Sequence, residues 1–357
     1  MKTSIAILVK EFPPDMIGGT ETQTMRMATE LQKQSNLEVT VYTKSYPENQ
    51  GKISTPYEVV RVPNWPITPF ISTLSFVMVA TLLLIRDADR FDVLQCMMIY
   101  PNGFVGYIAN RIRGLPYFAW IRGGDYYFMK EIKWKRWMIK RVLADTRVLV
   151  QTEQIADDVY GEFPESTLTV LGNGIKIPEE TASGEEIVFV GRLKEQKGVH
   201  VLLEAAAELD ESVRIVGDGP DRPRLESLAD QLDVDTTFVG EVPPNGVTDH
   251  LLQGKLFVLP SVRGEGLPNA VLEAMAVGLP VVVTDTGGVA DAVSTAETGF
   301  VVDPGDVDAL AERLRYFCDN DSERRAMGAQ ARQWVRETYS WDHICAELDS
   351  IYNSVTE

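Results

Sequence analysis

The 357-residue chain has little cysteine and little histidine. Cys96, Cys318 and Cys345 lie far apart, are odd in number and form no CxxC pair. That excludes a disulfide scaffold, disfavours a structural zinc site and fits a reduced, intracellular setting. His200, His250 and His343 are the only histidines, too few and too scattered for a multi-histidine metal centre. No P-loop Gly-Lys-Ser/Thr string occurs. Gly217-Asp218-Gly219 runs into Pro220-Asp221-Arg222, so a G-x-G-x-x-G fingerprint fails at its third glycine, which argues against a dinucleotide-dependent oxidoreductase. A cleavable leader is not the expectation either. Met1-Lys2-Thr3 leads directly into Ser4–Val9, which reads as a buried first strand. Lysine is scarce beside arginine, 13 against 21.

Acid is what the chain has in excess, with a net charge of −18, and the excess sits in one half. Residues 1–178 carry 20 basic and 18 acidic side chains, whereas residues 179–357 carry 14 and 34. The break near the midpoint, like the length, points to two domains. So acidic a half does not wrap nucleic acid, which needs a cationic face. It is read as a solvated surface that keeps the protein soluble, with adaptation to a salt-rich cytoplasm left open. Apolar residues at 45% and charged residues at 24% are ordinary for a globular chain.

The pattern opens as strand, glycine loop, helix, strand. Residues 4–9 are followed by Gly18-Gly19, by helical spacing of Thr22, Met25, Ala28 and Leu31, and by a strand over 38–43. That is the start of a doubly wound sheet. Further strands are predicted at 59–62, 92–96 and 117–121, with 147–151 closing the first sheet. A second series follows the polar segment 178–186, with strands at 187–190, 213–216, 237–239, 256–259 and 281–283. Ile67 to Ile85 is an uncharged run of 19 residues, 13 of them apolar, which meets the lower length bound for a membrane span. Six serines, threonines and prolines interrupt it, and a span would split one sheet across a membrane, so a packed helix between strands is expected.

Two stretches carry chemistry. Arg192 and Lys197 follow the strand ending at Val190, and a guanidinium fork beside an ammonium suits a diphosphate. Glu265 and Glu273 stand eight apart, one in the Gly264–Pro268 turn and one in the helix beginning at Asn269. Carboxylates there can accept hydrogen bonds from sugar hydroxyls, and the helix N-terminus can face a phosphate.

This segment closely resembles the Glu-x7-Glu signature of retaining glycosyltransferases of family 4. Gly18-Gly19 with Glu21, the Arg192/Lys197 loop, Val216–Pro220, Gly287-Gly288 and Gly299–Pro304 fit the family's order over nearly the whole chain. The resemblance implies the GT-B fold, two Rossmann-like α/β domains facing across a cleft. These would be an acceptor domain of residues 1–175, with a crossing helix at 341–357, and a donor domain of residues 176–340. It implies that Arg192 and Lys197 bind the donor diphosphate, that Glu273 holds the ribose, and that Glu265 contacts the donor sugar beside Gly266 and Leu267. Gly191 and Gly217 belong to the same donor loops. Gly18 and Gly19 would let the chain approach phosphates closely, and Asn173-Gly174 resembles the family's interdomain Asn-Gly. Where many members have a histidine, this chain has Arg122 in Ile121-Arg122-Gly123-Gly124-Asp125, so no histidine base is available there. Arg122 is expected to position donor phosphate or sugar. Asp125 is expected to face acceptor or donor sugar, or else to cap the next helix. No cofactor and no obligatory metal is implied beyond the substrate itself, a nucleotide sugar linked to UDP or GDP.

Residues 130–141 hold six basic side chains and one acid, interleaved with Trp134 and Trp137. Lys133, Lys135, Arg136 and Lys140 with those tryptophans suit a membrane surface or a lipid-linked acceptor, or else a solvated helix face. With the apolar run they favour a peripheral enzyme on the cytoplasmic face of the membrane, with no nucleic-acid partner. The rival readings are an enzyme of the same fold that acts on a soluble sugar or sugar phosphate, and a non-catalytic nucleotide-sugar-binding subunit.

Overall fold

The computed structural model describes residues 2–14, 18–46, 54–263, 266–293 and 297–356. It divides into two compact units, Met1–Gly174 with Trp341–Glu357, and Ile175–Ser340.

The first unit holds strands β1 (Thr3–Leu8), β2 (Leu37–Lys44), β3 (Glu58–Val62), β4 (Val93–Met97), β5 (Tyr117–Ile121), β6 (Arg147–Val150) and β7 (Thr167–Val170). All pair in parallel, in the order β3-β2-β1-β4-β5-β6-β7. Its helices are α1 (Gly19–Lys33), α2 (Pro69–Arg86), α3 (Phe104–Arg113), α4 (Gly124–Tyr127), α5 (Lys133–Leu143) and α6 (Glu153–Glu162). Strands covered on both faces must be apolar throughout rather than alternating. β5, with Tyr117 through Ile121 all buried, follows that rule. Alternate strand residues define the two faces. Ala6, Leu8, Cys96 and Ala119 pack with α2, α3 and α5 through Phe76, Ala80, Val105 and Ile139. Ile5, Ile7, Phe118 and Trp120 pack on the other side with α1 and with the final helix of the chain.

The second unit holds β8 (Glu186–Val190), β9 (Val213–Val216), β10 (Thr236–Gly240), β11 (Gly254–Leu259), β12 (Val281–Thr284) and β13 (Gly299–Val302), also parallel, in the order β10-β9-β8-β11-β12-β13. Its helices are α7 (Val199–Ala206), α8 (Arg222–Leu232), α9 (Val247–Leu251), α10 (Asn269–Ala276), α11 (Val307–Asp319) and α12 (Asp321–Thr338). In both sheets the strand order reverses beside the first strand, between β1 and β4 and between β8 and β11. Ligands of such sheets sit outside the carboxyl ends at that reversal. The loops after β1, β4, β8 and β11 are therefore the functional ones.

Three features differ from the sequence-based expectation. The first sheet does not close at residues 147–151: β7 adds an edge strand, whose short Thr-Leu-Thr-Val run is exposed at both ends and gives little apolar signal. The second sheet gains β13 at its other edge. The apolar run is a helix packed on one side only. α2 starts at Thr68, whose hydroxyl accepts from the Ile71 amide at 3.2 Å, with Pro69 in the first turn. It buries Ser72, Ser75, Phe76, Ala80, Thr81 and Leu84, while Phe70, Leu74, Met78 and Leu82 are exposed.

The last helix, α13 (Trp341–Thr356), belongs to the first unit. Ile344, Leu348, Ile351 and Tyr352 are buried in its core. The Tyr352 hydroxyl donates to Gln95 Oε1 at 2.7 Å, inside the sheet. Tyr352→Phe should leave that buried oxygen short of a donor and destabilise the first unit by about 1–3 kcal/mol. Urea unfolding should show the loss in the first unit's transition alone, and an unchanged transition would show that the bond contributes nothing.

Candidate active site

The second unit fixes its loops backbone to backbone. After β8 the chain runs through Gly191, Arg192 and a single 3-10 turn at Glu195–Lys197 to Gly198. Gly198 has φ +67°, and a Cβ there would lie 1.9 Å from the Pro260 carbonyl oxygen. Beside it the Val262 amide donates to the Gln196 carbonyl at 2.9 Å. The Lys197 turn is thus stitched to the loop after β11 that leads to Gly264 and Glu265, both of which lie outside the described residues. Gly217, at φ +134°, would place a Cβ 2.0 Å from the Gly191 carbonyl oxygen, and the Leu193 amide donates to Asp218 at 2.9 Å. Only glycine permits either approach. The loops after β8, β9 and β11 therefore form one assembly. It carries Arg192 exposed, Lys197, Gly191 and Gly266 half-buried, and Leu267 buried. Glu273 is half-buried in the second turn of α10. The structure brings together Arg192, Lys197, Gly191, Gly217, Gly266, Leu267 and Glu273 at the carboxyl ends of the second sheet.

The first unit holds a cavity of about 760 Å³ at the carboxyl ends of β1, β4 and β5. Lys10, Glu21, Arg122 and Asp125 form its polar wall, and Met98, Tyr100, Phe128, Met129, Ile132 and Trp134 its apolar one. The Arg122 guanidinium lies over the Trp120 ring, 4.9 Å from its centroid. It donates to Asn173 Oδ1 at 2.6 Å, an oxygen that also accepts from Gln151 at 2.7 Å. Its buried Nε has no hydrogen-bond partner among the described residues. Burial pushes the guanidinium down to about 10, opposed by Asp125 and Glu21, so it stays cationic at neutral pH. Glu21 is buried and raised above the usual carboxylate range, chiefly by desolvation.

Asp125 neither caps the next helix, whose N-cap is Gly123 with no side-chain bond, nor presents an open carboxylate. One oxygen accepts from the Arg122 amide at 2.8 Å and the other from the Ile99 amide at 2.6 Å, joining the loops after β5 and β4. Burial pushes it up to about 6 against those bonds. The two glycines at the start of α1 differ in purpose. A Cβ on Gly18 would meet Glu21 Oε2 at 2.4 Å, so this glycine makes room for that carboxylate, whereas Gly19 faces open space.

Of the cationic helix, Trp134 and Lys135 reach the cavity rim, and Lys135 sits 4.9 Å from the Tyr100 ring centroid. Lys133, Trp137 and Lys140 do not line it, and Arg136 pairs with Glu162, as does Lys130. Lys10, Met98, Tyr100, Phe128 and Met129 were not legible as site residues. Met98 adopts φ +80°, a strained backbone for a side chain of its size, and no sequence motif announces it.

The Glycosyl transferases group 1 model matches residues 175–334 and the Glycosyltransferase Family 4 model residues 17–177. The chain is 37% identical over 183 residues to the putative colanic acid biosynthesis glycosyltransferase WcaL of Escherichia coli. That stretch covers 48% of this chain and 45% of that protein, so the match spans about half the length of either. It is 26% identical over 402 residues to alpha-maltose-1-phosphate synthase of Mycolicibacterium smegmatis, 99% of each chain. Among solved structures, sucrose-phosphate synthase from Thermosynechococcus elongatus superposes with a TM-score of 0.84 at 19% identity, over 99% of both chains. Anabaena HepE in complex with UDP-glucose superposes with a TM-score of 0.74 at 17% identity, over 98% of this chain and 99% of that one. At such identities the likeness is one of fold alone, the GT-B architecture.

Asp125→Ala strands two buried amide donors and should cost about 1–3 kcal/mol for each. Because the folded-state value lies above that of an unfolded carboxylate, the stability Asp125 contributes should fall as pH rises from about 4 to about 6 and stay level above. Denaturation of the native chain and of Asp125→Asn across that range checks the sign, and parallel pH profiles would contradict it.

Proposed function

The chain belongs to glycosyltransferase family 4, and on that premise we propose that it is a retaining, metal-independent enzyme moving a sugar from a UDP- or GDP-linked donor to a lipid-linked acceptor. The acceptor would be a polyprenyl phosphate or diphosphate, bare or glycan-bearing, at the cytoplasmic face of a membrane, in the assembly of cell-surface polysaccharide or glycoprotein. One observation carries the acceptor reading. The cavity of the first unit sets an aromatic and thioether wall against three cations, Lys10, Arg122 and Lys135, and three acids, Glu11, Glu21 and Asp125; the apolar wall suits a lipid stem, and Arg122 with its unpartnered Nε suits a phosphorylated head. The donor reading rests on the loop assembly of the second unit, and the UDP-glucose held by HepE supports a nucleotide-linked sugar.

In this reading the bond from the sugar's anomeric carbon to the donor diphosphate breaks, and a bond to an acceptor oxygen forms on the same face. On a glycan-bearing lipid that oxygen is a sugar hydroxyl, whose proton passes to a leaving-phosphate oxygen; on a bare lipid it is an anionic phosphate oxygen and no proton need move. Arg192 and Lys197 stabilise the charge that develops on the departing diphosphate, which is where fixed cations accelerate the step. Glu273 accepts from the ribose hydroxyls and Glu265 from the donor sugar. Arg122 offers its Nε–H and its charge to an anionic oxygen of the substrate, and Asp125 positions it through its own backbone amide.

A phosphorylated soluble sugar is the second reading, favoured by the full-length likeness to alpha-maltose-1-phosphate synthase, since the same cations would take its phosphate. A purely scaffolding subunit would need none of the second unit's loop residues.

The test is nucleoside diphosphate release from a panel of UDP-, GDP-, ADP- and dTDP-sugars, with polyprenyl phosphate in detergent or with soluble sugar phosphates. Release from one donor that rises with the lipid is the expected result. Lys197→Ala and Glu273→Ala should lower it by about 10²-fold or more with the fold retained. Near-normal turnover in either variant would overturn the site assignment, and release that rises only with soluble sugar phosphates would select the second reading.

A further inference from the structure

We propose that the outer face of α2 is a bilayer-insertion face, which with the cationic outer face of α5 seats the first unit on an anionic membrane surface. α2 is inverted for a helix in water. Its hydroxyl side chains point inward and find partners there: Ser72 donates to Asn64 at 3.0 Å, and Ser75 accepts from the Trp65 amide at 2.9 Å. Its outer stripe is Phe70, Leu74, Met78 and Leu82, one residue every four, each between 48% and 64% exposed. No charge interrupts the sequence from Ile67 to Ile85. Trp65 and Ile67, at 57% and 74% exposed, extend the stripe beyond the start of the helix. Single exposed apolar residues need no explanation, but a contiguous stripe of this length marks an interaction surface.

The occupant follows from charge and position. α2, α3 and α5 cover the same face of the sheet, with α3 packed against both of the others. Phe104 of α3 bridges outward to Trp137 of α5, with ring centroids 5.9 Å apart. α5 has no acidic residue and exposes Lys133, Lys140 and Arg141 beside Trp134 and Trp137. An apolar stripe flanked by tryptophans and cations suits the interface of an anionic bilayer. α2 has the length and hydropathy of a spanning helix, yet Phe76, Ala80 and Leu84 are held in the core, so it lies along the membrane plane rather than across it.

The same surface carries the mouth of the cavity, whose rim includes Phe70, Phe128, Ile132 and Trp134. A lipid-linked acceptor would then enter from the bilayer itself, a consequence that rests on the acceptor reading above.

The test is co-sedimentation of the full chain with phosphatidylcholine vesicles, with and without phosphatidylglycerol. Leu74→Ser, Met78→Ser and Leu82→Ser combined alter no charge and no cavity residue. They should weaken partitioning into the anionic vesicles by about tenfold or more, with circular dichroism unchanged. Lys133→Ser with Lys140→Ser should remove the preference for anionic over neutral lipid. The triple variant should lose transfer to a long-chain acceptor in vesicles and keep transfer to a short water-soluble analogue. Unchanged partitioning of the triple variant would overturn the proposal, as would a native dimer that the triple variant dissociates. If the native chain bound vesicles through this face yet transferred sugar to no lipid, the acceptor reading would fail and the docking face would stand.

Discussion

A half-buried guanidinium, with its Nε fully enclosed, organises the first unit. Removing a cation from water is costly unless dipoles and counter-charges replace its hydration. Around Arg122 that replacement comes from several elements at once: the Trp120 ring beneath it, Asn173 Oδ1 at its tip, and the carboxylates of Glu21 and Asp125 nearby. Asn173 is itself fixed by Gln151, so the ends of β5 and β6 and the last residues of the unit's main segment share one network. Asp125 closes it by gripping the backbone on both sides. The network leaves the Arg122 Nε buried and unpartnered among the described residues. A buried donor beside a cavity is a binding element more readily than an error of packing.

The second unit solves a different problem by different means. Its cationic side chains sit on loops that would wander if only side chains held them. Glycine at 198, 217 and 219 lets carbonyls and amides of neighbouring loops meet directly, and a Cβ at any of the three would fall within about 2 Å of a facing carbonyl oxygen. Direct backbone contacts thus fix the loops that carry Arg192 and Lys197.

Much of this was legible beforehand. Apolar runs of five or six residues mark the interior strands because a parallel sheet buries both faces, and the loop glycines mark where the backbones of neighbouring loops approach closely. The edge strand β7 escaped because its Thr-Leu-Thr-Val run is exposed at both ends; β13 is apolar and mostly buried, and its Gly-Phe-Val-Val reads only as part of the Gly299–Pro304 motif. The cavity of the first unit escaped too: Lys10, Met98, Tyr100 and Phe128 are brought together by topology from loops up to about a hundred residues apart, with no shared motif. For α2, composition showed a helix, but not that Ser72 and Ser75 face the core while Phe70, Leu74, Met78 and Leu82 face the solvent. Only the placement of neighbouring helices decides that.

The measurement that tests the account most directly is a calorimetric titration of the native chain and of Arg122→Met with the nucleotide sugar that proves to be the donor and with a short polyprenyl phosphate. If the guanidinium receives an anionic oxygen of the substrate, at least one of the two ligands should bind the variant about 10–100-fold more weakly, measured at a temperature where circular dichroism shows both proteins folded. Equal affinity of both proteins for both ligands would show that Arg122 serves the fold alone, and the site described for the first unit would have to be abandoned.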